Sequence, residues 1–432
     1  MLTYSIFKTM KKPSKTFIFL FIMTLFIVIF DVWLWFNPYI LPKNNFLFAD
    51  GVGFYMYLPS TFIYHDWNMH FYQPHGSFCI SDIDEIVLRN PMGVSVLMFP
   101  FFLLAHIIAS ISEVFEADGF SFPYQISIAI SALFYFILGL YFTYKTLLIK
   151  FEQKISLLSC LGIVFGCGMI FHATVGASYS HIYSFCLIAI FIFLTLKENK
   201  NSNIFHYFGL GILLGLIFLC RNINVLIVLF WLFYKNIPFK SKFKAGIILP
   251  YLIGFLIVIF PQLLYWKIQT GNFLVNTYSF QHVLCQYNPQ SCFKEHFDWF
   301  CPHIIGNFFS YRKGLFFYYP VMVFAFLGIL WLKKFFKEGY IATLAFLLPI
   351  IYLICSWSEW WYGFSFGQRP YTDYMSLFAL MIGVSLEKMK GKYFKITLII
   401  FYILILISFI IMLFTVNNYC NEDGSLILHR FY

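Results

Sequence analysis

Apolar residues in this chain come in long unbroken runs separated by short polar clusters, and they do not alternate with polar ones. A run of about 20 residues, as a helix, covers the roughly 30 Å of hydrocarbon in a bilayer. Backbone in lipid must satisfy its own hydrogen bonds, which makes helix the expected form of each run. The pattern predicts about eleven spans, near 17 to 36, 122 to 147, 155 to 174, 178 to 196, 204 to 220, 222 to 235, 245 to 266, 315 to 332, 340 to 356, 371 to 387 and 394 to 416. The expected fold class is all-α, a polytopic membrane protein forming one domain over residues 1 to 432.

Composition agrees. Hydrophobic residues are 61% of 432 positions and charged ones 11%, too little polar surface to solvate a globular protein of this length. The first run follows Lys8, Lys11, Lys12 and Lys15 like a signal sequence, but it is longer than a signal core. Asn37-Pro38-Tyr39 is also no small-residue cleavage site, so a retained span is expected.

Charge then orients the spans, because basic residues collect on the cytoplasmic side. With the amino terminus inside, the inner clusters are Lys8 to Lys15, Lys145 to Lys154, Lys197 with Lys200, Lys235 to Lys244, Lys333 to Lys337 and Lys388 to Lys395, which hold 20 of the 29 basic residues. Every arginine (Arg89, Arg221, Arg312, Arg369 and Arg430) falls outside, with 15 of the 19 acids. The run at 91 to 112 is apolar enough to span, but crossing would invert every later loop. It is therefore expected as an interfacial or re-entrant helix on the outer face.

Two long outer segments result, 37 to 121 and 267 to 314, with a shorter one at 356 to 370. Their density in Trp, Tyr, Phe and Pro points to ordered helices lying in the interface. Cysteines form no CxxC, and a Cys285 to Cys292 disulfide is one open pairing among the outer cysteines. The absence of any Asn-x-Ser/Thr sequon favours a bacterial envelope over an endoplasmic reticulum.

The candidate chemistry gathers outside. Asp50, in Ala49-Asp50-Gly51-Val52-Gly53-Phe54-Tyr55, reads either as a general base toward a hydroxyl or as a helix N-cap. The segment Trp357-Ser358-Glu359-Trp360-Trp361-Tyr362-Gly363-Phe364-Ser365-Phe366-Gly367-Gln368-Arg369-Pro370 reads either as an aromatic belt or as a site for sugar and phosphate. Aromatic faces stack on sugar rings, and a guanidinium fork fits phosphate oxygens. Arg221 breaks an apolar run, where a charge is functional by default or snorkels to the interface. Arg312 with Lys313 offers a second cationic site or an anionic-lipid contact. His172, His181 and His65 lack zinc-type spacing, so no metal site is expected; Asp82, Asp84 and Glu85 could hold a divalent cation but read more simply as a solvated loop.

Together these segments, with Pro261-Gln262-Leu263-Leu264-Tyr265-Trp266 and Phe309-Ser310-Tyr311-Arg312-Lys313-Gly314-Leu315-Phe316, resemble the GT-C class of membrane glycosyltransferases, in its mannosyltransferase-like bacterial branch. The resemblance implies an inverting hexosyl or pentosyl transfer from a polyprenyl-phosphate donor to an envelope acceptor, with no cofactor, outside a bacterial inner membrane. It implies Asp50 as the catalytic carboxylate, activating the acceptor hydroxyl. Arg221, Arg312, Lys313 and Arg369 would hold the donor phosphate, and Tyr55, Glu359, Trp360, Trp361 and Gln368 the sugar or acceptor. The partners expected are the lipid-linked sugar, the acceptor and the bilayer, with no nucleic acid. Two departures stand out: no separate soluble domain is evident, and the first loop has one motif acid where some members have a pair. The rival reading is a lipid-linked-sugar flippase or transporter, disfavoured because inverted repeats and paired broken helices are not evident.

Overall fold

The computed structural model describes residues 15–35, 46–47, 49–72, 78–81, 83, 85–198, 203–234, 245–282, 295–363 and 365–417. Asp82, Asp84, the Cys285 to Cys292 pairing, Lys43, Lys200, Lys235 to Lys244, Arg430 and most of the amino-terminal lysine cluster lie outside the described residues.

The architecture is an all-α bundle. Among the described residues, seven helices are long and apolar enough to cross a membrane. Six match expected spans: α1 (Lys15–Trp35), α5 (Phe122–Leu147), α8 (Ser180–Lys197), α11 (Ala245–Thr270), α15 (Lys337–Ser356) and α17 (Phe394–Asn417). The other five expected spans are shorter or interrupted. They appear as α6 (Gln153–Gly166) with α7 (Met169–Ala173), α9 (Ile204–Cys220), α10 (Ile227–Tyr234), α13 (Leu315–Tyr318) with α14 (Met322–Phe335), and α16 (Met375–Lys388). Irregular backbone at membrane depth is tolerated where protein or a cavity surrounds it, and these breaks carry the polar groups described below.

The seventh long helix is α4 (Gly93–Ile111). It runs antiparallel along the first half of α5, where Tyr135 donates its hydroxyl to Leu97 O (3.0 Å). Gly93 lies against the backbone of Leu219 and Cys220, where a Cβ would come within 2.4 Å. Farther along, His106 Nδ1 lies 2.6 Å from the Tyr124 hydroxyl, near the start of α5. Two short helices, α2 (Asp50–Tyr55) and α3 (Tyr57–Phe62), pack along it through Tyr55 on Phe102 and Phe62 on Phe99. The segment from 37 to 121 thus contains ordered helices.

Glycine lets the helices approach closely, as is common where lipid provides no hydrophobic drive. The pair α9 and α11 does so reciprocally: Gly211 faces the Tyr251 backbone and Gly254 the Phe208 backbone, with built Cβ distances of 2.0 and 2.3 Å. A side chain at either position would force the pair apart.

Unexpected from the sequence is a small antiparallel sheet of β1 (Phe78–Ile80), β2 (Ile86–Leu88) and β3 (Gln281–His282), in the order β2-β1-β3. It joins the two long outer segments. Bonds from Met92 N to Gln262 Oε1 (2.8 Å) and from Thr277 Oγ1 to Arg89 O (2.7 Å) fix the turn after β2 and so aim Arg89.

Candidate active site

Beside the starts of α2 and α8 lies a cavity of about 810 Å³, with Asp50, Arg89, His181, Arg221, Glu359 and Arg369 on its wall. Trp266, Tyr278, Trp357 and Tyr362 add aromatic faces. Three guanidiniums and several carboxylates thus meet in one space from segments spread over most of the chain.

Asp50 opens α2 just after Ala49, whose φ of 45° is in the region that L residues rarely adopt. Strain of that kind persists where the surroundings impose it, commonly at functional positions. The preceding chain is tied down by Phe46, whose N–H donates to Gln125 Oε1 (3.0 Å) and whose carbonyl accepts from Ser178 Oγ (2.9 Å). Gly51 fits closely against Ser178, where a Cβ would approach Oγ to 1.9 Å. The cap position is taken by Ala49, with no side-chain capping bond, and Asp50 is the first helical residue. Its Oδ2 accepts from Arg369 Nη1 at 2.7 Å, so the cap alternative gives way to an ion pair facing the cavity. Burial works to raise the Asp50 carboxyl, but Arg369 and Arg89 outweigh it and hold the group below the usual carboxylate range.

Arg369 starts a 3₁₀ turn, Arg369–Tyr374, in which Pro370 pre-sets the helical φ. Its guanidinium also lies 5.4 Å from the centroid of the Tyr179 ring. The same turn carries Asp373, fully buried, at the centre of a second polar cluster. Asp373 Oδ1 accepts from His181 Nδ1 (2.7 Å), and Oδ2 accepts from Asn224 Nδ2 (2.7 Å) and Arg221 Nη1 (3.2 Å). Tyr374 donates its hydroxyl to Asn224 Oδ1 (2.6 Å). Arg221 is available because α9 stops at Cys220 and the backbone turns extended there, at φ −155° and ψ 118°, before the 3₁₀ turn Asn222–Leu226.

At the mouth, Arg89 pairs with Glu295 and stacks over Tyr278 at 4.2 Å. Burial raises the Glu359 carboxyl, with Arg312 opposing. Among the described residues no group of three His, Cys, Asp or Glu side chains is arranged to hold a metal ion.

Of the candidate site residues, the structure gathers Asp50, Arg221, Arg369 and Glu359 on the cavity. It puts the others elsewhere. The Tyr55 ring is buried with its hydroxyl on Gly119 O (2.6 Å). Lys313 is fully buried and donates to Ser365 O. Gln368 is also buried and donates to Trp360 O (3.0 Å). Trp360 packs on Gly306, and Trp361 lies under the Arg312 guanidinium at 3.7 Å. Arg89, Glu295, His181, Asn224 and Asp373 form part of the site without having been singled out for it. The rule that selected Arg221, a charge inside an apolar run, also applies to Asp373 in Tyr371-Thr372-Asp373-Tyr374.

No protein-family model and no curated protein matches the chain. Solved structures do match in fold. The oligosaccharyltransferase of Archaeoglobus fulgidus in its apo form superposes with a TM-score of 0.55 at 12% identity over 94% of this chain and 56% of that one. The same archaeal enzyme, AglB, in complex with an inhibitory peptide and a dolichol-phosphate gives 0.52 at 12% identity, over 93% and 55%. ArnT from Cupriavidus metallidurans in the apo state gives 0.50 at 11%, over 87% and 62%. The chain spans a little over half the length of these proteins, so the likeness is to their membrane fold. That fold is the GT-C fold of membrane glycosyltransferases, as the resemblance implies.

Proposed function

We propose that the chain is a membrane glycosyltransferase that moves a sugar from a polyprenyl-phosphate donor to an envelope acceptor at this cavity. The observation that carries the reading is the Asp50 carboxylate, paired with Arg369 and open to a space that also holds Arg89 and Arg221. Anionic donor and hydroxyl acceptor each find a complementary group there. The dolichol-phosphate bound to the archaeal oligosaccharyltransferase supports the donor class.

In this reading the phosphate sits against Arg221 and Arg369, which stabilise the charge that develops on it as the glycosidic bond breaks. Asp50 accepts the proton of the attacking hydroxyl, and its ionised state suits that role. A single displacement inverts the anomeric carbon. Arginines suffice to neutralise a monophosphate leaving group, so the reaction requires no metal. Arg369 bridges the two halves: a phosphate that draws it from Asp50 removes the cation that depresses the carboxyl, and Asp50 becomes a better base as the donor arrives.

The test is transfer from radiolabelled polyprenyl-phosphate sugars in membranes holding wild type or Asp50→Asn at matched expression. Transfer by wild type alone is the expected result. Equal signal in both, or in neither, would remove the reading.

A further inference from the structure

We propose that His181 is a specificity-determining residue whose Nε2 accepts a hydrogen bond from one hydroxyl of the transferred sugar, with Asp373 fixing the ring. The inference rests on the glycosyltransferase reading above and names the contact by which that site tells one sugar from another.

The argument starts from the buried carboxylate. Asp373 is fully buried and receives Asn224 Nδ2 at 2.7 Å and Arg221 Nη1 at 3.2 Å on Oδ2, so Oδ1 is free to accept from the imidazole. His181 Nδ1 meets Oδ1 at 2.7 Å, and a carboxylate can only accept, so Nδ1 carries the hydrogen. Arg221 Nη1, 3.5 Å from the same nitrogen, is itself a donor and cannot bond a protonated Nδ1. Among the described residues the polar contacts of the ring are all at Nδ1. In the neutral ring Nε2 is therefore a lone-pair acceptor, and His181 is one of the residues lining the cavity.

An acceptor is a poor neighbour for a phosphate oxygen and a good one for a hydroxyl. Its position along the wall suits the sugar. Asp50 bonds Arg369, Arg369 lies over Tyr179, and Tyr179 is two residues before His181, which shares Asp373 with Arg221. His181 thus lies beside Arg221, on the wall shared with the proposed base. The ring to be transferred must lie between those groups. His172 provides a contrast. That ring, 5.3 Å from His181, is fully buried and off the cavity wall, and neither of its nitrogens has a partner among the described residues. His181 alone of the two is oriented by a carboxylate and faces the cavity.

The experiment compares polyprenyl-phosphate glucose, mannose and galactose with their 2-, 3-, 4- and 6-deoxy forms as donors. Wild type and two variants are assayed, His181→Ala and His181→Asn; the second keeps an amide donor for Asp373 but lacks the distal acceptor. Wild type should prefer the parent sugar over one deoxy form by about tenfold or more in kcat/KM, and both variants should bring that ratio close to one. A fall in parent and deoxy rates by the same factor, or a ratio that survives in both variants, overturns the inference and leaves the glycosyltransferase reading standing. Failure of wild type to transfer from any parent donor removes the reading itself, and the inference with it.

Discussion

Two aspartate–arginine pairs contribute an arginine each to the wall of this cavity and differ in nearly everything but composition. Asp50 has one arginine on it at 2.7 Å, and its side chain is 43% exposed. Asp373 is fully buried and holds three donors at once, from His181, Asn224 and Arg221. The first carboxylate has lone pairs left for a substrate; the second has spent its capacity on the protein. In the proposed mechanism, reactivity and positioning are thus divided between two residues of the same type by the number of donors each is given. A saturated buried carboxylate anchors its neighbours, whereas an unsaturated one is available for chemistry.

That division can be broken at several points. The largest expected effect is on turnover: Asp50→Asn should lower kcat by about 10²- to 10⁴-fold, while donor binding and thermal unfolding in detergent stay close to wild type. The complementary change, Asp373→Ala, leaves Arg221 without its buried counter-charge and should destabilise the fold by about 3 to 5 kcal/mol, read as a lowered unfolding midpoint. Asp50→Ala should cost no more than about 1 kcal/mol by the same measurement, because its pair is partly solvated. Equal destabilisation by the two alanine variants would erase the distinction.

A smaller effect sharpens it. Arg369→Ala should weaken donor binding by about tenfold or more. It should also move the acid limb of activity. Arg369 holds the Asp50 carboxyl below its ordinary value of 3.8, so removing it lets the group protonate at higher pH, and the acid limb shifts up. The same sign governs stability: what the ionised pair contributes is present above the unfolded carboxylate value and is lost as pH falls through the depressed one. The smallest change is Tyr374→Phe, which removes the bond to Asn224 Oδ1. It should cost about 1 kcal/mol of stability and leave kcat within about twofold.

The long apolar runs made most of the bundle legible, because hydropathy and helix length are local properties. The helix at 93 to 111 was legible in the same way, as one more long apolar run. The small sheet was not, because β1 and β3 are short and about 200 residues apart, and their pairing depends on how two loops fold together. The site divides in the same way. Asp50, Arg221 and Arg369 are charges in conspicuous local settings. Glu359 shares a loop with Arg369 and reaches the same cavity, yet adjacent Gln368 turns away to Trp360 O. Arg89 and Glu295 gain their meaning from each other across loops, and no window of sequence holds both. The tryptophans at 360 and 361 illustrate the opposite error. Aromatic residues beside a polar loop suggest sugar stacking, but these two are occupied with Gly306 and Arg312.

Arg369 and Asp373 stand four residues apart on a single 3₁₀ turn, so one short piece of backbone carries a partner for both carboxylate–guanidinium pairs. It acts as a common yoke. A displacement that tightened one pair would have to be felt by the other, so the exposed carboxylate and the buried anchor cannot drift out of alignment independently. Their energetics should therefore be joined as well: substitutions at positions 50 and 221, distant in the chain, belong to one cooperative unit because their partners share a turn.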